Sequence, residues 1–175
     1  MFARDGAVVL GIDPGLTRCG YAVLRTDGNA VRPVALGVIR TPASAELPQR
    51  LAELKGELVA LLQQYRPHAV AVEQVFFQTN VRTAMSVGQA SGLALAEAAA
   101  FGCDVVPVHP EPGEGLRGRV GRRPEEQVQK MVQARLGLST PPKPARRPSL
   151  TPPARLALTC WPRADAPAGA AAVGR

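Results

Sequence analysis

Aromatic side chains are scarce, 4% of the 175 residues, with one tryptophan, two tyrosines and four phenylalanines. Cysteine is scarcer still. Cys19, Cys103 and Cys160 lie far apart with no CxxC pair, which excludes a zinc ribbon and argues against a disulfide framework. They read as small hydrophobes in a reducing, cytoplasmic setting. No run of about 18 uninterrupted apolar residues occurs, and the opening MFARDGAVVLGID reaches Asp13 too soon for a signal-peptide core, so no membrane association is expected. What remains is 46% hydrophobic against 20% charged residues, enough for a real core and for one domain of ordinary size.

The net charge of +7 is unevenly spread. Residues 1–108 carry nine basic and nine acidic side chains; residues 109–138 carry six against four, and residues 139–175 six against Asp165 alone. Twelve of the 17 prolines fall between Pro107 and Pro167. The chain thus passes from a neutral, periodic half to a basic, proline-broken one. The expected organisation is a domain over residues 1–138 followed by an irregular tail over 139–175, where Pro141, Pro142, Pro144, Pro148, Pro152, Pro153 and Pro162 forbid a continuous helix.

Within the neutral half, strands and helices alternate. Ala7 to Ile12 is a short apolar run closed by Asp13-Pro14-Gly15, a turn sequence. Cys19 to Leu24 and Ala35 to Arg40 read as two more strands with a loop at Asp27-Gly28-Asn29, an antiparallel meander. Leu51, Leu54, Leu58, Leu61, Leu62 and Tyr65 recur at helical spacing, predicting a helix from about Ala45 to Arg66 that Pro67 closes. His68 to Val72 is a fourth strand ending in Glu73. Val81 to Phe101 is an Ala-, Ser- and Gly-rich helix with a thin side-chain layer, stopped at Gly102. Val105 to Val108 and Glu125 to Leu136 add a fifth strand and a further helix. The order is that of a mixed-sheet α/β domain.

Asp13 and Glu73 each end an apolar strand, where a charge costs desolvation unless something compensates it. Two readings stand. A hard divalent cation accepts oxygen ligands from both, or each is a turn residue that accepts backbone N–H bonds or meets an arginine such as Arg18.

The wording around these acids separates the readings. GIDPGLTRCGYAVL at Gly11 to Leu24 and VAVEQVFFQTNVRTAMSVGQASGLALAEA at Val70 to Ala98 resemble the RuvC family of Holliday junction resolvases. The likeness resumes at EEQVQKMVQARLGL, Glu125 to Leu138, and continues through PPKP at Pro141 to Pro144, about two thirds of the chain. It implies an RNase H-like fold, a mixed five-stranded sheet flanked by helices. It further implies a homodimer that cuts two strands of like polarity across a four-way DNA junction, working beside the RuvA and RuvB branch-migration motor. Asp13 and Glu73 occupy the places of two ligands for Mg²⁺, two ions per site in the family. The resemblance makes Phe76 the wedge at an opened junction and places Phe77, Asn80 and Arg82 beside the DNA; core packing is the competing reading for Phe77.

Two stretches depart from the family. A last helix there carries two more acids, in a pattern like KPADAADALA, but here Lys143-Pro144-Ala145-Arg146-Arg147-Pro148-Ser149-Leu150 puts Arg146 and Ser149 at those places. Between His109 and Pro124, Glu114 and the nearby Glu125 stand where DNA-facing lysines belong. Both stretches are rich in Arg, Pro, Gly and Ala, as expected of GC-rich coding sequence read out of frame; basic, flexible DNA-binding arms are the other reading. The expectation is an impaired resolvase, against a junction-binding protein without catalysis. A third reading, Gly11 to Gly15 as a phosphate loop of actin- and Hsp70-like ATPases, is disfavoured by Leu16 and by the lack of any adenosine-site sequence beyond residue 70. His68 and His109 receive no role, and Trp161 in the tail reads either as a DNA contact or as an exposed remnant.

Overall fold

The structure, a computed structural model, describes residues 6–27, 30–74, 81–108 and 133–134. Val8–Asp13 forms β1, Arg18–Asp27 β2, Ala30–Arg40 β3, Leu47–Tyr65 α1, Ala69–Glu73 β4, Val81–Ala100 α2 and Asp104–Val108 β5. The strands make one sheet in the order β3-β2-β1-β4-β5. β1, β2 and β3 are an antiparallel meander, as their short links predict; β4 returns through α1 to lie parallel to β1, and β5 returns through α2 to lie parallel to β4. The two central parallel strands are buried on both faces, which is why they read as unbroken apolar runs.

Helix α1 buries Leu54, Leu58, Leu61 and Leu62 and starts two residues later than the periodicity predicts, with Pro48 in its first turn, where a missing amide costs nothing. Arg66 ends it in a left-handed conformation, its N–H bonded to the Leu62 carbonyl at 2.9 Å. Helix α2 turns Ala90, Ala94 and Ala98 inward, each at most 1% exposed. Three methyl groups at four-residue spacing let its backbone approach the sheet, the thin layer its composition predicts. An ion pair of 3.3 Å between Lys55 and Glu97 joins the two helices.

Both helices pack on the face bearing Val8, Leu10, Ile12, Val70 and Val72. On the other face Val9, Leu24, Ala69 and Ala71 are also fully buried. β2 and β3 are longer than the expected 19–24 and 35–40. Their outer halves pair Arg25 with Arg32, Thr26 with Val31 and Asp27 with Ala30, residues without apolar alternation, and Pro33 is tolerated because β3 is an edge strand. The helix expected over 125–136 lies outside the described residues except for 133–134, which are helical. His68 has a structural part: its N–H donates to the Val8 carbonyl (2.9 Å), its Nδ1 accepts the Val8 N–H (3.1 Å), and its carbonyl accepts the Asp104 N–H (2.9 Å). It ties the starts of β1, β4 and β5 together.

Candidate functional site

Asp13 is the last residue of β1 and Glu73 the last of β4. The parallel register pairs Val9 with Ala69 and ends with Ile12 opposite Val72, so the next step along both strands brings Asp13 level with Glu73. Adjacent strands stand about 4.8 Å apart, and residues in step on parallel strands share a face. Ile12 and Val72 belong to the helix-covered core; Asp13 and Glu73 therefore share the opposite face. Both are half-buried. Gly20 pairs with Asp13 across β2, and Gly11, Ala22 and Ala71 continue the same face. These four small residues are buried and form a floor without bulk beside the two carboxylates.

The turn that follows Asp13 is fixed from three sides. A Cβ on Gly15 would collide with the Arg18 carbonyl, so the close return of the chain requires glycine there. The Thr41 hydroxyl, 4% exposed, donates to the Leu16 carbonyl at 2.6 Å. Arg50, in the first turns of α1, donates from Nε to Thr41 Oγ1 (3.0 Å) and from Nη2 to Thr17 Oγ1 (2.7 Å). Nothing in the sequence announces this clamp: the partners are nine and 33 residues apart and follow no period. Behind the turn, burial pushes the Cys19 thiol up to about 12; the nearby Asp13 charge adds to this and a backbone hydrogen bond from Gly15 opposes it. Cys19 is thus a protonated packing residue, as expected of it.

Among the described residues no group of three or more His, Cys, Asp or Glu side chains gathers as a metal site. The pair at 13 and 73 supplies hard oxygen donors of the type a divalent ion takes, but only two of them. Phe76, Phe77 and Asn80 lie outside the described residues, as do Glu114, Glu125, Arg146 and Ser149. Arg82 falls in the first turn of α2, with its side chain outside the described residues. A cavity of about 470 Å³ lined by Leu62, Gln63, Arg66, Pro67, Phe101 and Cys103 sits at the other end of the parallel strands, before β4 and β5 begin, and is no part of the carboxylate site. There the Cys103 thiol donates to the Pro67 carbonyl at 3.2 Å, and burial raises its pKa. Among the described residues no helix is long and apolar enough to cross a membrane.

Comparison with known proteins places these features in a family. The model of the family described as crossover junction endodeoxyribonuclease RuvC matches residues 9–149. A protein of that name from Rubrobacter xylanophilus is 44% identical over 137 residues, covering 78% of this chain and 76% of that protein. Its counterpart in Streptomyces avermitilis is 46% identical over 140 residues, 78% of each chain. Among solved structures, T. thermophilus RuvC in complex with a Holliday junction substrate superposes with a TM-score of 0.73 at 32% identity, over 87% of this chain and 91% of that one. With an RNase H-like sheet and a match that spans well over half its length, the chain belongs to the RuvC family of crossover junction endodeoxyribonucleases.

Proposed function

We propose that this chain recognises four-way DNA junctions as a homodimer and acts on them as a Mg²⁺-dependent endonuclease of reduced activity. The observation that carries the reading is the placement of Asp13 and Glu73 in step on adjacent parallel strands, on one face and over a floor of small residues. Strand ends carry the two carboxylates, which favours a fixed pair of donors over the range of positions a loop would allow. Small residues beneath them leave room for a phosphodiester to approach. When bound, Mg²⁺ supplies activation of water and charge neutralisation at the leaving oxygen. The chain's part is to hold the cation through Asp13 and Glu73, to keep the turn at Gly15 tight, and to present Phe76 as a wedge with Phe77, Asn80 and Arg82 as neighbouring DNA contacts. The exposed face of α2, with Met85 at 62% exposure and open space over Gly88 and Gly92, supports a second copy as the partner. The RuvA and RuvB motor is the proposed companion, in the cytoplasm.

The reduction in activity rests on Arg146 and Ser149, which replace two acids of the family pattern, and on Pro148, Pro152 and Pro153 beside them, a residue type that helix interiors disfavour. We attribute the stretches 109–124 and 145 onward to out-of-frame reading. A single-base insertion or deletion that restores the family pattern in the coding sequence would support this, and its absence would remove it. The same replacements favour the second reading, a junction-binding protein without catalysis. One experiment separates the readings: a synthetic four-way junction incubated with the full chain, with and without Mg²⁺, scored for mobility shift and for nicking. Slow, Mg²⁺-dependent nicks that disappear in Asp13→Asn and Glu73→Gln support the endonuclease; binding with no nick at any time supports the binder; no binding overturns both.

A further inference from the structure

Two arginines occupy the same end and the same face of the sheet as the carboxylate pair. Arg18 and Arg40 are direct partners in the β2–β3 register. Arg18 has the same strand parity as Gly20, which pairs with Asp13, so all of these positions lie on one face. With strands about 4.8 Å apart and about 3.4 Å per residue along them, the Arg18 Cα stands about 8 Å from that of Asp13 and the Arg40 Cα about 12 Å. Both arginines are exposed. Like charges directly opposite on neighbouring strands contribute nothing to folding and oppose it. An anion between them reverses that sign.

The Arg50 clamp acts on the residues next to this pair. Thr17 precedes Arg18 and Thr41 follows Arg40; one guanidinium holds both hydroxyls, while the Thr41 N–H also reaches the Thr17 carbonyl at 3.4 Å. The two strand ends that bear Arg18 and Arg40 are thereby locked to each other and to the turn that follows Asp13. A pair of forked donors carried on locked strand ends beside an acidic pair matches a DNA strand whose scissile phosphate lies at the carboxylates and whose flanking phosphate lies at the arginines.

We infer that Arg18 and Arg40 together grip one backbone phosphate flanking the cleaved bond. The inference rests on the junction-binding reading above. A phosphate contact is read out by salt: each one contributes about 0.9 to the slope of log K against log salt, equivalent to about eightfold in affinity at 0.1 M salt. The test measures four-way junction binding by the full chain without divalent ions, from 0.05 to 0.3 M KCl, a range on the order of that used for such slopes. Arg18→Ala, Arg40→Ala and the double variant should each weaken binding about eightfold or somewhat more and flatten the slope by about 1, the double falling short of the product of the singles because one phosphate is shared. Arg18→Lys with Arg40→Lys should keep the slope and lose affinity, since the charge stays while the fork goes. Arg25→Ala with Arg32→Ala, the opposed pair at the far end of the same hairpin, should change neither. Circular dichroism verifies that each variant is folded. Unchanged affinity and slope in the Arg18 and Arg40 variants, or an equal loss in the Arg25 and Arg32 variant, overturns the grip while leaving junction binding intact. A parent chain that binds no junction overturns both.

Discussion

Replacing Arg50 by methionine removes a guanidinium and keeps most of the aliphatic stem, so its effect isolates two hydrogen bonds. One reaches the buried Thr41 hydroxyl at 3.0 Å; the other reaches the exposed Thr17 hydroxyl at 2.7 Å. A hydrogen bond to a charged group contributes about 1.5–3 kcal/mol net when sheltered, and one open to solvent contributes about 0.5–1 kcal/mol. The Thr41 hydroxyl still donates to the Leu16 carbonyl, so no buried donor is orphaned and the loss stays near the low end, about 2–3 kcal/mol in total. For a chain of this length each kcal/mol moves Tm by about 2–4 °C, giving a drop of about 5–10 °C. Arg50→Lys should recover less than half of that, because one ammonium cannot serve two hydroxyls in the fork geometry. Thermal and urea unfolding, each followed by circular dichroism, measure both variants. A methionine variant within about 0.5 kcal/mol of the parent, the scale of an ordinary surface change, would show that Thr17, Thr41 and the turn after Asp13 are held without Arg50.

Gly15→Ala should destabilise the chain by about 1–3 kcal/mol, since the new methyl meets the Arg18 carbonyl, which belongs to the backbone and cannot swing away. Gly56→Ala, in α1 with open space around its added methyl, should instead be neutral or stabilising by up to about 1 kcal/mol, and the difference in urea midpoint between the two checks both. The Cys19 thiol titrates at about 12 when folded against 9.0 unfolded. Between those values the folded chain retains a proton that the unfolded chain has lost, so stability falls as pH rises from 9 toward 12, by up to about 1.4 kcal/mol per pH unit. Cys19→Ala should flatten that part of the pH profile while lowering stability at pH 7 by a small packing loss; an unchanged alkaline slope would count against the burial of this thiol.

The sequence was most legible where one physical period dominates. Leu54, Leu58, Leu61 and Leu62 declare one face of α1 whatever surrounds it, and Val8 to Ile12 reads as a central strand because both its faces are buried. The outer hairpin was hidden for the converse reason. Arg25 stands opposite Arg32 and Asp27 opposite Ala30, with no apolar alternation along either strand, so no sequence pattern marks them as strand. The same limit applies to the candidate site. Asp13 and Glu73 are each conspicuous at the end of an apolar run, but their adjacency depends on β4 returning parallel to β1 through α1, a fact of topology. Likewise the Arg18–Arg40 pair follows from a cross-strand register, and the Arg50 clamp from tertiary contact; neither has a sequence period to betray it.

Charge balance links these parts. Two unit charges separated by the spacing of neighbouring strands, about 5 Å, repel by about 3 kcal/mol at an effective dielectric of 20. Together the two carboxylates carry the charge that neutralises one divalent cation. The family pattern of four acids neutralises two such ions, whereas on the proposed reading this chain offers Asp13 and Glu73 alone, with Arg146 and Ser149 at the places of the others. A second cation would have to be held against an uncompensated double charge, and an arginine near that position would repel it. The consequence differs for binding and for cutting. Phosphate capture by Arg18 and Arg40 requires no metal, since it depends on a register and a clamp contained wholly within the described hairpin and helix. Cleavage requires charge neutralisation at both the attacking and the leaving oxygen. On the proposed reading, then, the loss of two acids spares junction recognition and weakens the chemical step, which is why nicking and binding must be measured on the same sample.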